Sequence, residues 1–186
     1  MSEIRITLPD GSERAYPEGA TGGDVATSIG SRLAKAAVAA RVDGDEWDLG
    51  RPLHDGAHVS IITGDTDAGR HVLRHSTAHV MAQAVTQLYP GAKFSIGPAI
   101  DDGFYYDFDL PDGKTFSDDD LAAIEARMGE IIAADQPFVR DEMEPKAALE
   151  LFADQPYKRE IIERVQEADA DDADAGEVAA GTAISV

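Results

Sequence analysis

The feature that most limits the fold is the alternation of apolar and polar residues at the start of the chain. Ile4, Ile6 and Leu8 alternate with polar side chains, which is the period of a half-buried β-strand. The turn residues Pro9-Asp10-Gly11 come next, and residues 12–16 can return as the partner strand. The beginning of the chain therefore predicts an antiparallel hairpin with one face in a core.

A helix and further strands are predicted between this hairpin and residue 63. Thr21 and Asp24 have the spacing of a helix capping box. Apolar residues follow at helical spacing: Val25, Ala26, Ile29 and Leu33. Strands are predicted at 37–42 and 58–62, with a turn at Asp43-Gly44. This order of elements is that of a β-grasp domain over residues 1–63, although periodicity alone leaves the topology open.

A second region follows a polar, glycine-containing segment at residues 64–70, which we interpret as a linker or the lead-in of a helix. From His71 to Leu88 a broad apolar stripe at helical spacing predicts a helix that Pro90-Gly91 ends. The stripe consists of Val72, Leu73, Val80, Met81, Ala84, Val85 and Leu88. Two strands are predicted next, at 93–100 and 104–110. In the second strand one face carries Phe104, Tyr106, Phe108 and Leu110.

The last third of the chain predicts three helices and short strands. Ser117 and the aspartates after it are typical of a helix N-terminus. The buried face of this helix is predicted to hold Leu121, Ile124, Met128 and Ile131. Further predictions are a strand at 138–143, helices at 145–152 and 157–166, an acidic loop at 167–177 and a strand that starts at 182. Natural domains seldom end inside a strand, so we expect residues 71–186 to be a truncated domain.

The composition limits the classes of function. The chain has 36 acidic and 16 basic residues, and residues 117–186 hold 19 of the acidic ones and 6 of the basic ones. A net charge of −20 argues against a protein that holds nucleic acid by a broad basic surface. The sequence has no cysteine, no signal peptide pattern and no apolar stretch of membrane-spanning length. We therefore expect a cytoplasmic protein that does not bind membranes.

The best candidates for site residues are His75 and His79. Residues four apart on a helix lie on the same face, so the two imidazoles point the same way. The pair can be the polar edge of a packed helix, part of a metal site, or a proton-transfer group. A zinc site needs three or four ligands. A zinc site is disfavoured because the chain lacks cysteine and its other histidines are only His54, His58 and His71.

The catalytic interpretation of the pair requires a partner cation. A lysine beside two imidazoles could hold an anionic or carbonyl-bearing substrate, and Lys158 is a candidate. The same lysine could equally be a solvated surface residue. The spacing of the histidines alone leaves catalysis and a structural role open.

Four stretches together resemble the N-terminal region of bacterial threonyl-tRNA synthetases. They are ITLPDGS at 6–12, RHSTAHVMAQAV at 74–85, IGPAIDDGFYYDFDL at 96–110 and YK at 157–158. The resemblance implies an α+β protein with a TGS domain, which has the β-grasp fold, at residues 1–63. After the linker at 64–70 it implies an α/β two-layer editing domain at 71–186, incomplete at its C-terminus.

The resemblance also implies a function and its residues. The editing domain of this family hydrolyses seryl-tRNA(Thr), in support of tRNA threonylation by the full-length enzyme. The family's histidine pair falls on His75 and His79, its active-site lysine on Lys158, and Tyr106 takes a pocket-lining position. The implied partner is the 3′ end of tRNA(Thr), with its seryl-adenosine moiety as substrate. No metal is expected in this chain, because zinc, ATP and the homodimer interface belong to other domains of the full-length enzyme.

One departure from the family pattern leaves alternatives open. The family completes its editing site with a motif D-x-C-R-G-P-H, which does not occur in this sequence. We therefore expect weak editing by the chain alone. One alternative is a TGS-containing regulatory or RNA-binding module of another enzyme, for example one fused to a nucleoside-kinase-like domain. Another is a freestanding zinc-dependent aminoacyl-tRNA deacylase.

Overall fold

Helices and strands occur in both units into which the chain divides, Met1–Arg74 and His75–Val186. The computed structural model describes residues 2–136, 138, 141–167 and 184–185. This mixture of elements confirms the predicted α+β class.

The strands of the first unit form the predicted hairpin and a three-stranded sheet. β1 (Glu3–Thr7) pairs antiparallel with β2 (Glu13–Pro17). β3 (Ala37–Val42) lies between β4 (Asp45–Trp47) and β5 (Val59–Thr63) and is antiparallel to both. A parallel bridge between Thr7 and His58 joins the hairpin to the start of β5. The predicted strands at the N-terminus, at 37–42 and at 58–62 are therefore confirmed.

The helical segment of the first unit is capped as predicted but is interrupted. The Thr21 hydroxyl accepts a hydrogen bond from the Asp24 N–H (3.2 Å), and the Asp24 carboxylate accepts one from the Thr21 N–H (2.9 Å). The helix that this box starts, α1 (Gly22–Ile29), ends at Gly30, and α2 (Ser31–Ala36) follows. The prediction of one helix through Leu33 was wrong, because glycine at position 30 is extended and does not continue the helix.

The core of the first unit contains the alternating residues of β1. Ile4, Ile6 and Leu8 are at most 8% exposed. They pack with residues of α1, β3, β5 and the connecting loops: Ala20, Val25, Ala40, Val42, Leu53, Ala57 and Val59. The alternation in the sequence thus identified the core face of the hairpin.

The long helix α3 (Asp67–Leu88) begins inside the segment that was predicted to be a linker or the lead-in of a helix. Residues 67–70 are helical, which agrees with the second of these two interpretations. Thr66 starts the helix, since its hydroxyl accepts a hydrogen bond from the Gly69 N–H (3.0 Å). A Cβ on Gly69 would lie 2.0 Å from the Thr63 carbonyl oxygen, so this glycine permits close packing and does not serve as a flexible spacer. The domain limits 1–63, 64–70 and 71–186 stay a prediction.

In the second unit each of the two predicted strands is broken in the middle. The segment at 93–100 contains β6 (Lys93–Phe94) and β7 (Ala99–Ile100), and the segment at 104–110 contains β8 (Gly103–Phe104) and β9 (Phe108–Asp109). β7 pairs with β8, and β6 pairs with β9, both antiparallel. Between β6 and β7, Gly97 packs closely on the Tyr106 ring. Pro98 follows, and because proline has no backbone N–H it cannot donate a hydrogen bond to a neighbouring strand.

The predicted alternation within 104–110 is confirmed despite this break. Phe104, Tyr106 and Phe108 are half-buried and Leu110 is buried. Tyr105, Asp107 and Asp109, the residues between them, are exposed.

Helix α4 (Asp118–Ala133) begins at the predicted cap, Ser117. Ile124 and Ile131 are buried in a cluster with Ala84, Val85, Ala92 and Leu110, and Met128 packs against it. Leu121 is 55% exposed, so its prediction as a core residue was wrong. In the first turn the position that faces the core is taken by Asp120, whose carboxylate accepts a hydrogen bond from the Tyr89 hydroxyl (2.5 Å).

The remaining elements are short. α5 (Pro145–Leu151) and α6 (Pro156–Glu167) confirm two predicted helices. β10 (Glu142–Met143) pairs antiparallel with β11 (Ile184–Ser185), which lies in the predicted final strand. The acidic loop predicted at 167–177 lies outside the described residues from position 168 onward. In the described part of the chain no helix is both long and apolar enough to cross a membrane.

We predict that Gly22→Ala destabilises the first unit by about 1–3 kcal/mol. A Cβ at this position would lie 2.7 Å from the Cβ of Ala40, which is 1% exposed and has no room to move. Urea unfolding measures the loss. The control is Gly23→Ala on the same helix, where the nearest atom lies at 3.5 Å. Equal stability of the two variants would contradict the packing argument.

We also predict an acid-sensitive contribution to stability from Asp120. The Ser117 hydroxyl first, and the Tyr89 hydroxyl second, lower the pKa of Asp120 from 3.8 to about 2. Because the folded pKa lies below the unfolded one, this stabilisation is present above pH 4 and is lost as the pH falls towards 2. The difference in thermal midpoint between wild type and Asp120→Asn should therefore shrink over that interval. A difference that is constant with pH would show that the carboxylate charge contributes nothing.

Candidate active site

The two histidines predicted to share a helix face are in direct contact on α3. Their Nε2 atoms lie 2.9 Å apart, and their ring centroids lie 4.6 Å apart with an angle of 69° between the planes. At this distance one nitrogen donates a hydrogen bond and the other accepts it, so the contact holds one proton between the rings. Both side chains are half-buried, and each can therefore still be reached from solvent.

An exposed aromatic residue lies beside this histidine pair. The Phe138 ring is 58% exposed and meets the His79 ring at a centroid distance of 6.1 Å, edge to face. Close to it in sequence, the Gln136 side-chain oxygen accepts a hydrogen bond from the Gln83 amide of α3 (3.0 Å). The sequence placed Phe138 in a strand and gave no sign that it would contact the site.

Tyr106, the predicted pocket residue, is held by close packing on a glycine. A Cβ on Gly97 would lie 2.3 Å from Cδ2 of the Tyr106 ring and 3.2 Å from the Cβ of Ala78. Ala78 is the residue before His79 on α3 and is 1% exposed. Gly97 therefore brings the tyrosine ring close to the helix that carries both histidines. The Tyr106 ring also stacks on the Phe108 ring, with a distance of 4.9 Å between the ring centroids.

Lys158 reaches the same region from helix α6. Its Nζ lies 5.6 Å from the centroid of the Phe94 ring, and the Tyr106 ring lies 6.1 Å from that ring. A cation at this distance from an aromatic face is attracted to it. Lys158 and Tyr106 therefore share Phe94 as a neighbour, which joins two predicted site residues from distant parts of the sequence.

The position of Lys158 does not favour the stability of its own helix. It lies in the first turn of α6, at the positive end of the helix dipole, and that turn contains no acidic residue. A cation at this end is unfavourable with respect to the helix dipole.

The contacts that sequence reasoning missed are those of Phe94, Gly97 and Gln155. Gln155 bonds to the backbone of residues 92 and 94 and so joins the start of α6 to β6. The only sequence signal was the run Ile96-Gly97-Pro98, which marks a break in a strand. Of the other histidines, His54 makes an ion pair with Asp43 (2.9 Å) in the first unit. Among the described residues no cluster of three or more acidic, histidine or cysteine side chains is arranged to hold a metal.

Comparison with known proteins relates both parts of the chain to one group of enzymes. Residues 4–63 match the family model of the TGS domain. The chain is 49% identical to the threonine–tRNA ligase of Maricaulis maris, over 88% of this chain and 26% of that protein. The corresponding ligase of Hyphomonas neptunium is 51% identical, over 87% and 25%. That of Chlorobaculum tepidum is 48% identical, over 87% and 25%.

The chain thus spans about a quarter of the length of these curated relatives. The matches cover 164 to 166 residues, well beyond the TGS domain, and include the segments that carry the histidines, the tyrosine and the lysine. The chain therefore contains a TGS domain and matches the N-terminal region of the threonine–tRNA ligases at about 50% identity.

Proposed function

We propose that this chain supplies the histidine- and lysine-bearing part of an editing site that hydrolyses seryl-tRNA(Thr). The observation that carries the proposal is the His75–His79 contact of 2.9 Å, in the same unit as Tyr106 and Lys158, which meet at Phe94. The names of the relatives supply the substrate class, since a threonine–tRNA ligase joins threonine to tRNA.

The need for such a site follows from the similarity of two amino acids. Serine differs from threonine by the absence of one methyl group. A synthetic site discriminates one such group by only about 1–3 kcal/mol, which is roughly 10- to 200-fold. A second site that accepts the seryl ester and hydrolyses it corrects the errors that remain.

The reaction at this site is ester hydrolysis at the 3′-terminal ribose of the tRNA. A water attacks the seryl carbonyl carbon, the ester bond to the ribose oxygen breaks, and serine and free tRNA result. In the proposal His75 and His79 orient the ribose and the water. The nitrogen that accepts the bond between the rings can take the proton of the attacking water once the water displaces that bond. The proton that the pair already holds can pass to the departing ribose oxygen.

Lys158 and Tyr106 have different roles in this proposal. The ammonium of Lys158 stabilises the negative charge that develops on the carbonyl oxygen during attack. Tyr106 lines the pocket in this scheme, and its ring is held by packing on Gly97 and stacking on Phe108. The partner is the 3′ end of tRNA(Thr), and the seryl-adenosine moiety is the part that the site contacts. We assign zinc and ATP to the synthetic reaction of the full-length ligases.

The alternatives differ in what supports them. A regulatory or RNA-binding module, in which this pair of domains precedes for example a nucleoside-kinase-like domain, predicts a phosphate-binding loop further along the parent sequence, whereas the ligase predicts the motif D-x-C-R-G-P-H there. The names of the relatives favour the ligase-related function of the two. A freestanding zinc-dependent deacylase predicts one equivalent of zinc in the purified protein, which elemental analysis measures.

We predict that His75→Ala lowers the rate of seryl-tRNA(Thr) deacylation by about 10²- to 10⁴-fold, the usual contribution of a positioned acid–base group. The assay uses the 186-residue chain and, in parallel, the Maricaulis maris ligase with this chain in place of its matching region. We expect the chain alone to be slow, because the sequence has no cysteine and lacks the family's completing motif.

The matched control is His58→Ala, since His58 is an exposed histidine of the first unit. It should leave deacylation unchanged. Threonyl-tRNA(Thr) serves as the second substrate and should be hydrolysed more slowly than the seryl form. Equal rates for wild type and His75→Ala would remove the histidine from the mechanism. No hydrolysis by either protein form would contradict the proposed function.

A further inference from the structure

We infer that Gln155 is a positioning residue for Lys158: its side chain fastens the start of α6 to the edge of β6, and so holds the lysine ammonium over Phe94. The inference rests on the proposed function in one respect only, the role given to Lys158. The contacts that carry it all lie within the second unit.

The Gln155 amide acts as a substitute for a neighbouring strand. Its Nε2 donates a hydrogen bond to the Ala92 carbonyl (3.1 Å), and its Oε1 accepts one from the Phe94 N–H (3.2 Å). Residues 92 and 94 are alternate residues of an extended segment, so their backbone groups point to the same edge. The opposite edge pairs with β9, where the Ser95 N–H bonds to the Asp107 carbonyl (3.4 Å). Only a side chain that donates and accepts at once can satisfy both groups.

A second contact strengthens the same attachment. The Lys93 ammonium donates a hydrogen bond to the Asp154 carbonyl (2.5 Å), immediately before Gln155. Ala92, the residue before β6, is 2% exposed and belongs to the buried cluster of this unit. The start of α6 is therefore attached next to a buried part of the fold.

The attachment of Gln155 also fixes the position of Lys158, because Gln155 directly precedes α6 and Lys158 lies in its first turn. The Arg159 N–H donates to the Gln155 carbonyl (3.1 Å), which makes Gln155 the residue from which the helix starts. Pro156 follows, and proline is favoured at the first helical position because its fixed φ suits the helix. Lys158 comes three residues after Gln155, so the two side chains lie on the same side of the first turn. Fixing Gln155 on β6 therefore places Lys158 above Phe94, which is itself a β6 residue.

The attachment counteracts two effects that favour moving the ammonium away from Phe94. The dipole of α6 repels a cation in its first turn, and hydration favours the ammonium in open solvent. A fixed backbone at the start of α6 limits how far the half-buried Lys158 side chain can move. Gln155 supplies that fixation and does not itself contact the substrate in this scheme.

The first test compares Gln155→Met, Lys158→Met and the double variant in whichever protein form deacylates seryl-tRNA(Thr). Methionine keeps the length of glutamine and removes both hydrogen bonds. We expect Gln155→Met to lower kcat by about 10- to 100-fold, since small displacements of a catalytic group have effects of this size. The double variant should be no slower than Lys158→Met alone, because residues that act through one another are not additive. Losses that multiply would overturn the inference.

The second test is independent of activity and uses the isolated chain. The ring current of Phe94 should shift the NMR signals of the Lys158 side chain away from those of an exposed lysine. Gln155→Met should move them towards the exposed values. The control Gln87→Met removes another side-chain amide of the same unit, the acceptor of the Arg127 Nε–H (2.8 Å), and should leave them unchanged. Unmoved Lys158 signals in Gln155→Met would overturn the inference.

A conservative variant covers the case in which Gln155→Met fails to fold. In Gln155→Glu the carboxylate still accepts from the Phe94 N–H but repels the Ala92 carbonyl. Protonation at low pH gives the side chain an O–H that can donate to that carbonyl again. The Lys158 signals should therefore return towards their wild-type values as the pH falls, and the absence of such a return would contradict the inference. If the wild-type protein shows no deacylation, the proposed function is contradicted. The NMR measurements then still test whether Gln155 positions Lys158.

Discussion

The close packing at Gly97 is the constraint on which the candidate site depends. An aromatic ring at Tyr106 and the small residue Ala78 of α3 both approach the space that a side chain at position 97 would occupy. With a Cβ at 2.3 Å from the ring, either the tyrosine or the segment between β6 and β7 has to move. Because position 97 has no side chain, the Tyr106 ring can lie close to α3, the helix that carries His75 and His79.

Phe94 has a comparable role for the other half of the site. Its ring lies beside the Tyr106 ring and the ammonium of Lys158, and its backbone N–H donates a hydrogen bond to the Gln155 side-chain oxygen. One short strand, β6, therefore fixes both the aromatic neighbour of the tyrosine and the helix that bears the lysine. Tyr106 and Lys158, which come from distant parts of the sequence, therefore both lie beside Phe94.

The sequence predicted features that depend on local periodicity and missed those that depend on close approach. The alternation around Tyr106, the capping box at Thr21 and the shared face of the two histidines each follow from the geometry of one element, and each was confirmed. The packing of Gly97 on Tyr106 and Ala78 involves residues of different elements, and the attachment through Gln155 joins residues 61 positions apart, so no periodicity encodes either contact. The burial of Leu121 was predicted wrongly for a related reason. Asp120 bonds to the Tyr89 hydroxyl on the core side of α4, and Leu121 is exposed.

The charge of the chain limits how such a site could recognise a nucleic acid. Residues 117–186 hold 19 acidic side chains and 6 basic ones, so this unit repels a long phosphate backbone. On the proposed function, recognition relies on short-range contacts with the uncharged ribose, the aminoacyl group and a terminal base, for which imidazole, aromatic and single-lysine side chains are suited. The relatives are about four times as long as the matched segment. On the proposed function, affinity for the body of the tRNA therefore comes from those further regions, and the site described here selects by the chemistry of the ester end.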